Sequence, residues 1–328
     1  MNEVPVIERP IVVIGAPRSG TTILQRCLAL QPRLWHLRAE SHYILEGPFH
    51  PKRIGRSSNR CAAEDTSELT VKSVRQRFYQ KAINVSRVLS DPGWLFRADG
   101  LAGRILSAAT IKTLGYLSRM VKPSTIRFLE KTPKNSLRVS LLNRLFPDAL
   151  FVLNRRRPEE NIDSLIAGWH TSDKIGPIEL PRFSRFGYPV AEDLKLKDYS
   201  EKWWKFALVP GWKSLQGKSV GEVAAFQYYQ CNRCALEDFE ELDEDRTISI
   251  KHERFVQKPT EVVSKILERA GLSMTSAVKQ FAKALPRVNS TRDGGGRHFG
   301  ELRYPEQVRC GMKSIPQMTE LQSYLGYS

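Results

Sequence analysis

Long apolar runs are missing from this 328-residue chain. The longest, such as Ile11 to Ile14, hold only a few residues, far short of the ~20 that a membrane-spanning helix needs. A secretory leader is missing too. The opening MNEVPVIERP carries Glu3 and Glu8, with neither a basic start nor an apolar stretch behind it. Cysteine is scarce, with five residues, an odd number, at no framework spacing. Cys231 and Cys234 form a C-x-x-C, but no second pair completes a zinc site. On a helix these two lie one turn apart, where ordinary packing accounts for them better than redox chemistry. Together these gaps predict a reduced, cytoplasmic protein that holds no metal and spans no membrane. Acidic residues are also few: 35 Asp and Glu against 51 Lys and Arg leave a net charge of +16. Such an excess points to a polyanionic partner, whether nucleic acid, an acidic membrane surface, a polyphosphorylated nucleotide or an acidic acceptor, or else to a merely basic surface. No nucleic-acid-binding motif is present, and there is no internal repeat.

What is present is an alternation of short β-branched runs with helical apolar spacing. Pro10 to Ala16 (PIVVIGA) reads as a buried strand of a parallel sheet, followed by helical spacing over Thr21 to Leu30. Further strands are expected at Ile126 to Leu129, Ala149 to Leu153 and Thr247 to Ile250. Helices are expected at Ser136 to Leu145, Glu159 to Trp169, Val223 to Leu242 and Glu261 to Ala270, the last stopped by Gly271. Residues 71 to 120 read as mostly helical. The stretches 47–70 and 170–200 read as inserted loops, which inside a compact domain usually bind or cover something. The pattern predicts an α/β, three-layer fold with a central, mainly parallel sheet, P-loop-like, with helical and loop insertions. A single domain is expected over 1–328, with a core at about 10–271 and a tail at about 286–328 whose Gly-rich stretch Asp293 to Gly296 reads as mobile.

The most informative segment is Gly15 to Thr22, GAPRSGTT. It lies between an expected strand and an expected helix, the setting in which backbone N–H groups and a helix N-terminus face an anion. Its spacing matches the nucleoside-triphosphate loop G-x-x-x-x-G-K-[ST] except that Thr21 replaces the lysine. That lysine reaches the β- and γ-phosphates of a triphosphate, so its loss argues against ATP or GTP hydrolysis. Arg18 still supplies a cation with planar donors inside the turn. Pro17 stiffens the loop, and Ser19, Thr21 and Thr22 add hydroxyls. Such a loop suits 3'-phosphoadenosine 5'-phosphosulfate (PAPS), with a tetrahedral sulfuryl beside a phosphate and no required metal, better than ATP. The plain alternative is a tight turn with incidental polar residues.

With P-R-S-G-T-T in this place the chain resembles the PAPS-dependent sulfotransferase superfamily. The resemblance implies that Pro17, Arg18, Ser19, Gly20, Thr21 and Thr22 hold the 5'-phosphosulfate. That family's second hallmark is a strand running into R-x-P with a serine eight residues after the arginine. Here ALFVLNRRRPEENIDS places Arg156, Pro158 and Ser164 so. An arginine at a strand end and a serine on the next helix can converge on one phosphate. The resemblance implies a grip on the 3'-phosphate; the alternative is a solvated basic cluster at Arg155 to Arg157. A further arginine that some relatives carry beyond the serine is replaced here by the Gly168, Trp169, His170 region. A third block, ISIKHERFVQKPTEVVSKILERAG (248–271), is similar to the family's strand, Y-E-x-L-V-x-x-P and helix, with His252 where tyrosine is common. That histidine is placed either against the nucleotide or in the packing. The likeness is greatest to the tyrosylprotein and carbohydrate branch.

Sulfuryl transfer needs a base for the acceptor hydroxyl, cations for the transferred group and support for the departing 3'-phosphoadenosine 5'-phosphate (PAP). Glu40, in WHLRAESHYILE, is the expected base; His36 and His42 are its rivals, and a surface pairing with Arg38 or Arg33 is the alternative. Lys131, in LEKTPKN, is the expected electrophilic cation, shared with Arg18; the alternative is a solvated lysine beside Pro133. Competing functions are a P-loop kinase-like enzyme, which would bind ATP with Mg²⁺, and a non-enzymatic polyanion-binding protein, whose binding would be salt-sensitive and nucleotide-independent. The acceptor is left open as a small molecule, carbohydrate or peptide with a hydroxyl. Trp169, Phe183, Phe186, Tyr188, Trp203 and Trp204 either line its pocket or belong to the core.

Overall fold

A computed structural model describes residues 6–87, 100–171, 174–175, 178–179, 187–285 and 301–327. Phe183, Phe186 and the 293–296 stretch lie outside them. In chain order the strands are β1 (Val6–Ile7), β2 (Ile11–Ile14), β3 (Leu34–His36), β4 (Thr125–Lys131), β5 (Leu150–Arg155), β6 (Lys174–Ile175), β7 (Ile178–Glu179) and β8 (Thr247–Lys251). The helices are α1 (Thr21–Leu28), α2 (His42–Leu45), α3 (Glu68–Lys81), α4 (Gly100–Met120), α5 (Val139–Leu145), α6 (Pro158–Trp169), α7 (Val220–Glu240), α8 (His252–Gln257), α9 (Pro259–Arg269), α10 (Ser276–Lys283), α11 (Pro305–Lys313) and α12 (Met318–Tyr324).

The central sheet has the order β1-β4-β2-β5-β8, with β3 also on β4. Every pairing in it is parallel. A parallel pair needs a crossover, and the helices between the strands supply it. Alternation along the strands sorts side chains to two faces. Ile11, Val13, Leu129, Leu150 and Val152 meet α1, α9 and α10. Val12, Ile14, Phe128, Phe151 and Leu153 meet α3 and α5. All four residues of β2 are completely buried, as expected for a strand covered on both faces. The result is the three-layer α/β arrangement.

The observed elements depart from the expected ones in several places. The loop expected over 47–70 gives way early, because Ser67 accepts a hydrogen bond from the Thr70 N–H and starts α3 at Glu68. Within 170–200 lies a short antiparallel pair, β6 with β7. The C-terminal stretch expected as a tail forms α11 and α12, whose Val308, Met318, Leu321 and Leu325 are buried against α6 and α7. Gly311 of α11 sits so close to Gly221 of α7 that a Cβ would fall 2.3 Å from its carbonyl oxygen. Strands β1 and β3 have two and three residues, too short to show periodicity. Trp169 and Trp204 are core residues, packed edge to face at 5.2 Å. Cys231 and Cys234 are buried free thiols on α7, and burial pushes Cys231 up to about 12 and Cys234 up to about 11, which suits packing and disfavours thiolate chemistry.

Candidate active site

The first half of the site is the turn between β2 and α1. Arg18 and Gly20 both have positive φ, 71° and 89°. Gly20 is the N-cap of α1 in the left-handed conformation, which only glycine adopts without penalty. It has a second reason to be glycine: a Cβ there would lie 2.3 Å from Cε1 and 2.4 Å from Nδ1 of His252. Arg18 carries the same backbone strain without glycine's freedom, and such strain concentrates at functional turns. Neighbouring side chains brace the turn through its carbonyls. Asn161 donates to the Pro17 carbonyl at 2.8 Å, Arg156 to the Arg18 carbonyl at 2.9 Å and Asn154 to the Ser19 carbonyl at 3.0 Å.

Arg18 Nε donates to Ser164 Oγ at 3.0 Å. The residues expected to grip two different anionic groups therefore meet through one another, with Arg156 on the Arg18 backbone and Ser164 on its side chain. Burial, helped by Arg156 and Arg303, lowers the Arg18 guanidinium to about 10. Arg303 belongs to the stretch ahead of α11, where its N–H and that of Tyr304 both donate to Asp163 Oδ1, at 2.6 and 2.9 Å. Arg18 feels the charges of both Arg156 and Arg303, and Glu160 Oε2, 3.4 Å from Arg156 Nη2, offsets part of that charge. Ser19 Oγ, Arg156 Nε and His252 Nδ1 are buried there without a protein hydrogen-bond partner, which leaves them open to water or to a ligand. Burial first, then Arg156, lowers His252 to about 4, so it stands neutral beside the turn.

The second half joins three elements. Lys131, the last residue of β4, extends its ammonium to Glu40 Oε1 at 2.7 Å and to Thr22 Oγ1 of α1 at 3.3 Å. His42 Nε2–H donates to the other Glu40 oxygen at 2.9 Å. Glu40 thus pairs with neither Arg38 nor Arg33 but with two members of the site. Burial raises its pKa, but Lys131 and His42 outweigh that and hold the carboxyl well below the usual range. Burial lowers His42, against the pull of Glu40. His36 points elsewhere: it is buried on β3 with Nδ1 2.9 Å from the Leu37 carbonyl.

A buried network beneath this pair ties its two backbones together. Glu130, 1% exposed, accepts from Ser41 Oγ at 2.6 Å and Asn135 Nδ2 at 2.9 Å. The Ser41 N–H donates to Thr132 Oγ1 at 2.8 Å. Ser41 follows Glu40, while Glu130 and Thr132 flank Lys131. Burial keeps the Glu130 pKa raised. Farther in, Glu46 accepts from Arg138 at 2.9 Å and from Tyr188 Oη at 2.5 Å, with Lys134 at 3.5 Å. Tyr188 is thus a buried polar anchor, and its ring lies under the Lys134 ammonium at 4.6 Å. Burial drops Lys134 to about 8, opposed by Glu46. Within LEKTPKN only Lys131 carries a signal in the sequence: Glu130, Thr132 and Lys134 meet partners 89, 91 and 88 positions away, and Asn135 has its role only once Glu130 is placed. Arg303 was hidden because its surroundings were read as a tail.

Comparison with known proteins adds the following. A family model described as the sulfotransferase family matches residues 10–182. No curated protein matches the chain. Among solved structures, the chain is similar to the sulfotransferase domain from the curacin biosynthetic pathway, at 15% identity and TM-score 0.46, covering 98% of this chain and 99% of that one. It is similar to the sulfotransferase domain of the Synechococcus PCC 7002 olefin synthase, at 17% identity and TM-score 0.44, covering 100% and 98%. It is also similar to sulfotransferase STF1 of Mycobacterium tuberculosis H37Rv, at 17% identity and TM-score 0.43, covering 85% and 71%.

Proposed function

The chain belongs to the sulfotransferase family, and from that membership we propose that it moves the sulfuryl group of PAPS to a hydroxyl of an acceptor, releasing PAP. The observation that carries the reading is the contact chain Thr22–Lys131–Glu40–His42, which sets a base and a cation against the helix that begins at the anion-binding turn. The orphaned Ser19 Oγ, Arg156 Nε and His252 Nδ1 fit a ligand with more than one anionic group. PAPS supplies an activated sulfuryl whose leaving group is a phosphate.

In this reading the turn 17–22 binds the phosphosulfate end, while Arg156 and Ser164 hold the second phosphate. Arg18, bonded to Ser164 and next to Arg156, links the two subsites. Lys131 has a double assignment. While it pairs with Glu40, it keeps that carboxylate a weak base. When negative charge builds on the group in transit, the ammonium is drawn toward it and away from Glu40. The base then gains strength as the acceptor O–H must be broken, with His42 keeping the carboxylate oriented. The proton goes to Glu40, the acceptor oxygen forms the new S–O bond and the old bond to the phosphate oxygen breaks. Pre-set cations of this kind account for much of the catalysis in such transfers.

The test is calorimetric titration of PAP into the wild type and Arg156→Ala, with ATP and Mg²⁺ as control. Micromolar PAP binding that the substitution abolishes, with little ATP binding, supports the reading. Mg²⁺-dependent ATP binding indifferent to Arg156 replaces it with a kinase-like one. Binding to neither nucleotide leaves the polyanion-binding alternative.

A further inference from the structure

Away from the site, the longest acid-free stretch around α4 calls for its own account. Between Asp99 and Glu130 there is no acidic residue, while Arg104, Lys112, Arg119, Lys122 and Arg127 are all basic. Most of that stretch is α4. One face of the helix is committed to the protein. Ile111 and Leu114 pack on the core. Gly115 lies against Ile83, where a Cβ would stand 3.1 Å away. Ser118 is buried, donating to the Gly115 carbonyl and accepting from the Asn84 N–H.

The other face has no such cover. Tyr116 is 67% exposed, Leu117 44%, Met120 74% and Val121 60%. Their spacing, i, i+1, i+4 and i+5, gathers them on one side of the last turn. They make up four of the seven large apolar side chains most open to solvent among the described residues. The charges around them are of one sign. Lys112 and Arg119 are exposed, and Arg119 reaches the Lys81 carbonyl at the end of α3. Lys122 donates to the Tyr79 carbonyl at 2.7 Å; burial, then Arg119, lowers its pKa to about 8.

We propose that the C-terminal end of α4 docks the protein on an anionic lipid bilayer, with Tyr116, Leu117, Met120 and Val121 entering the interface and the exposed Lys112 and Arg119 meeting the headgroups. A helix with an apolar face and a cationic border is the form of an interfacial anchor, and each basic residue near an anionic surface adds attraction that salt weakens. A second copy of this chain fits the face poorly. A two-fold interface sets a patch against itself, and this one would set arginine and lysine against arginine and lysine with no carboxylate in the stretch to answer them. A specific peptide partner requires a shaped groove, whereas a fluid bilayer needs no matched shape.

The test is co-sedimentation of the full chain with vesicles of phosphatidylcholine alone or with a third of phosphatidylserine, at two salt concentrations. The expected result is binding to the anionic vesicles only, weakened by salt, and reduced about tenfold or more in Met120→Asp and in Arg119→Glu. Far-UV circular dichroism and Tm serve as the control for an intact fold and should stay near wild type in both variants. Absence of binding, equal binding to neutral vesicles, or binding that both variants retain overturns the proposal. So does a dimer in sedimentation equilibrium that Met120→Asp dissolves, which would give the face to a second copy. The proposal does not depend on the nucleotide reading, and either can fail alone.

Discussion

Replacing Lys131 by methionine tests the core of the mechanism, because the ammonium is assigned two effects that move together. Lys131 is 6% exposed on its side chain and lies 2.7 Å from Glu40 Oε1. An opposite charge at that range depresses a carboxyl by about 1–3 units. Its loss should raise Glu40 by an amount of that order, with His42 left to oppose burial. In the wild type Glu40 is held well below the usual carboxylate range, so the proposed base is ionised at neutral pH and its titration should not limit the rate there. In Lys131→Met the acid limb of the rate profile should shift upward by the same 1–3 units. At its plateau the transfer rate should still fall about 10²–10³-fold, the usual cost of removing one pre-set electrostatic contact to a developing charge. The carboxyl can be followed directly by NMR of ¹³C-labelled glutamate, with Glu40→Gln assigning the resonance, and the transfer by PAP release. An unmoved Glu40 resonance, or a plateau rate within about threefold of wild type, would refute the double assignment.

Gly20→Ala should lose nucleotide affinity and stability together, since it adds about 1–2 kcal/mol of left-handed strain and drives a Cβ to 2.3 Å from the His252 ring; a drop of several degrees in Tm with weakened PAP titration is expected, and an unchanged Tm would contradict it. His252 is lowered to about 4 in the free protein, against an ordinary value near 6.5. Bound phosphate should raise it, so PAP binding near pH 6 should take up protons and strengthen as pH falls. Calorimetry in buffers of different ionisation enthalpy reads this, and His252→Gln should remove the uptake. The same depression favours folding fully above about pH 6.5, and that contribution should decline as pH falls toward 4, where the folded histidine also protonates. Glu130→Ala strands the Ser41 and Asn135 donors at a cost of about 1–3 kcal/mol. It should lower kcat while leaving PAP affinity near wild type, and equal losses in both would mean a general folding defect.

How far the sequence could be read depended on how local each feature is. The turn at 15–22 is legible because strand, glycine, arginine, hydroxyls and helix follow one another within about a dozen positions, and such a run needs no distant partner to form its strand, turn and helix. Strands β2, β4 and β5 are legible because burial on both faces demands runs of mostly apolar residues, whereas β8, at the sheet edge, shows through alternation, with Ile248 and Ile250 buried and Ser249 exposed. Helix α7 is legible through its period, and its start is marked by the Ser219–Glu222 capping box. Strand β3 has no pattern of its own and exists because β4 offers an edge. Helices α11 and α12 were read as a tail because their apolar residues make sense only against α6 and α7.

The site divides in the same way. That Arg18 and Ser164 touch, that Glu40 is shared by Lys131 and His42, and that Glu130 laces their backbones together are facts about positions up to 146 residues apart. Residue type told what each group is able to do: donate, accept, carry charge. Which groups do it to one another was decided by the stacking of parallel strands, since that brings the ends of β2, β4 and β5 to one edge of the sheet and leaves the intervening chain no choice but to deliver its side chains there.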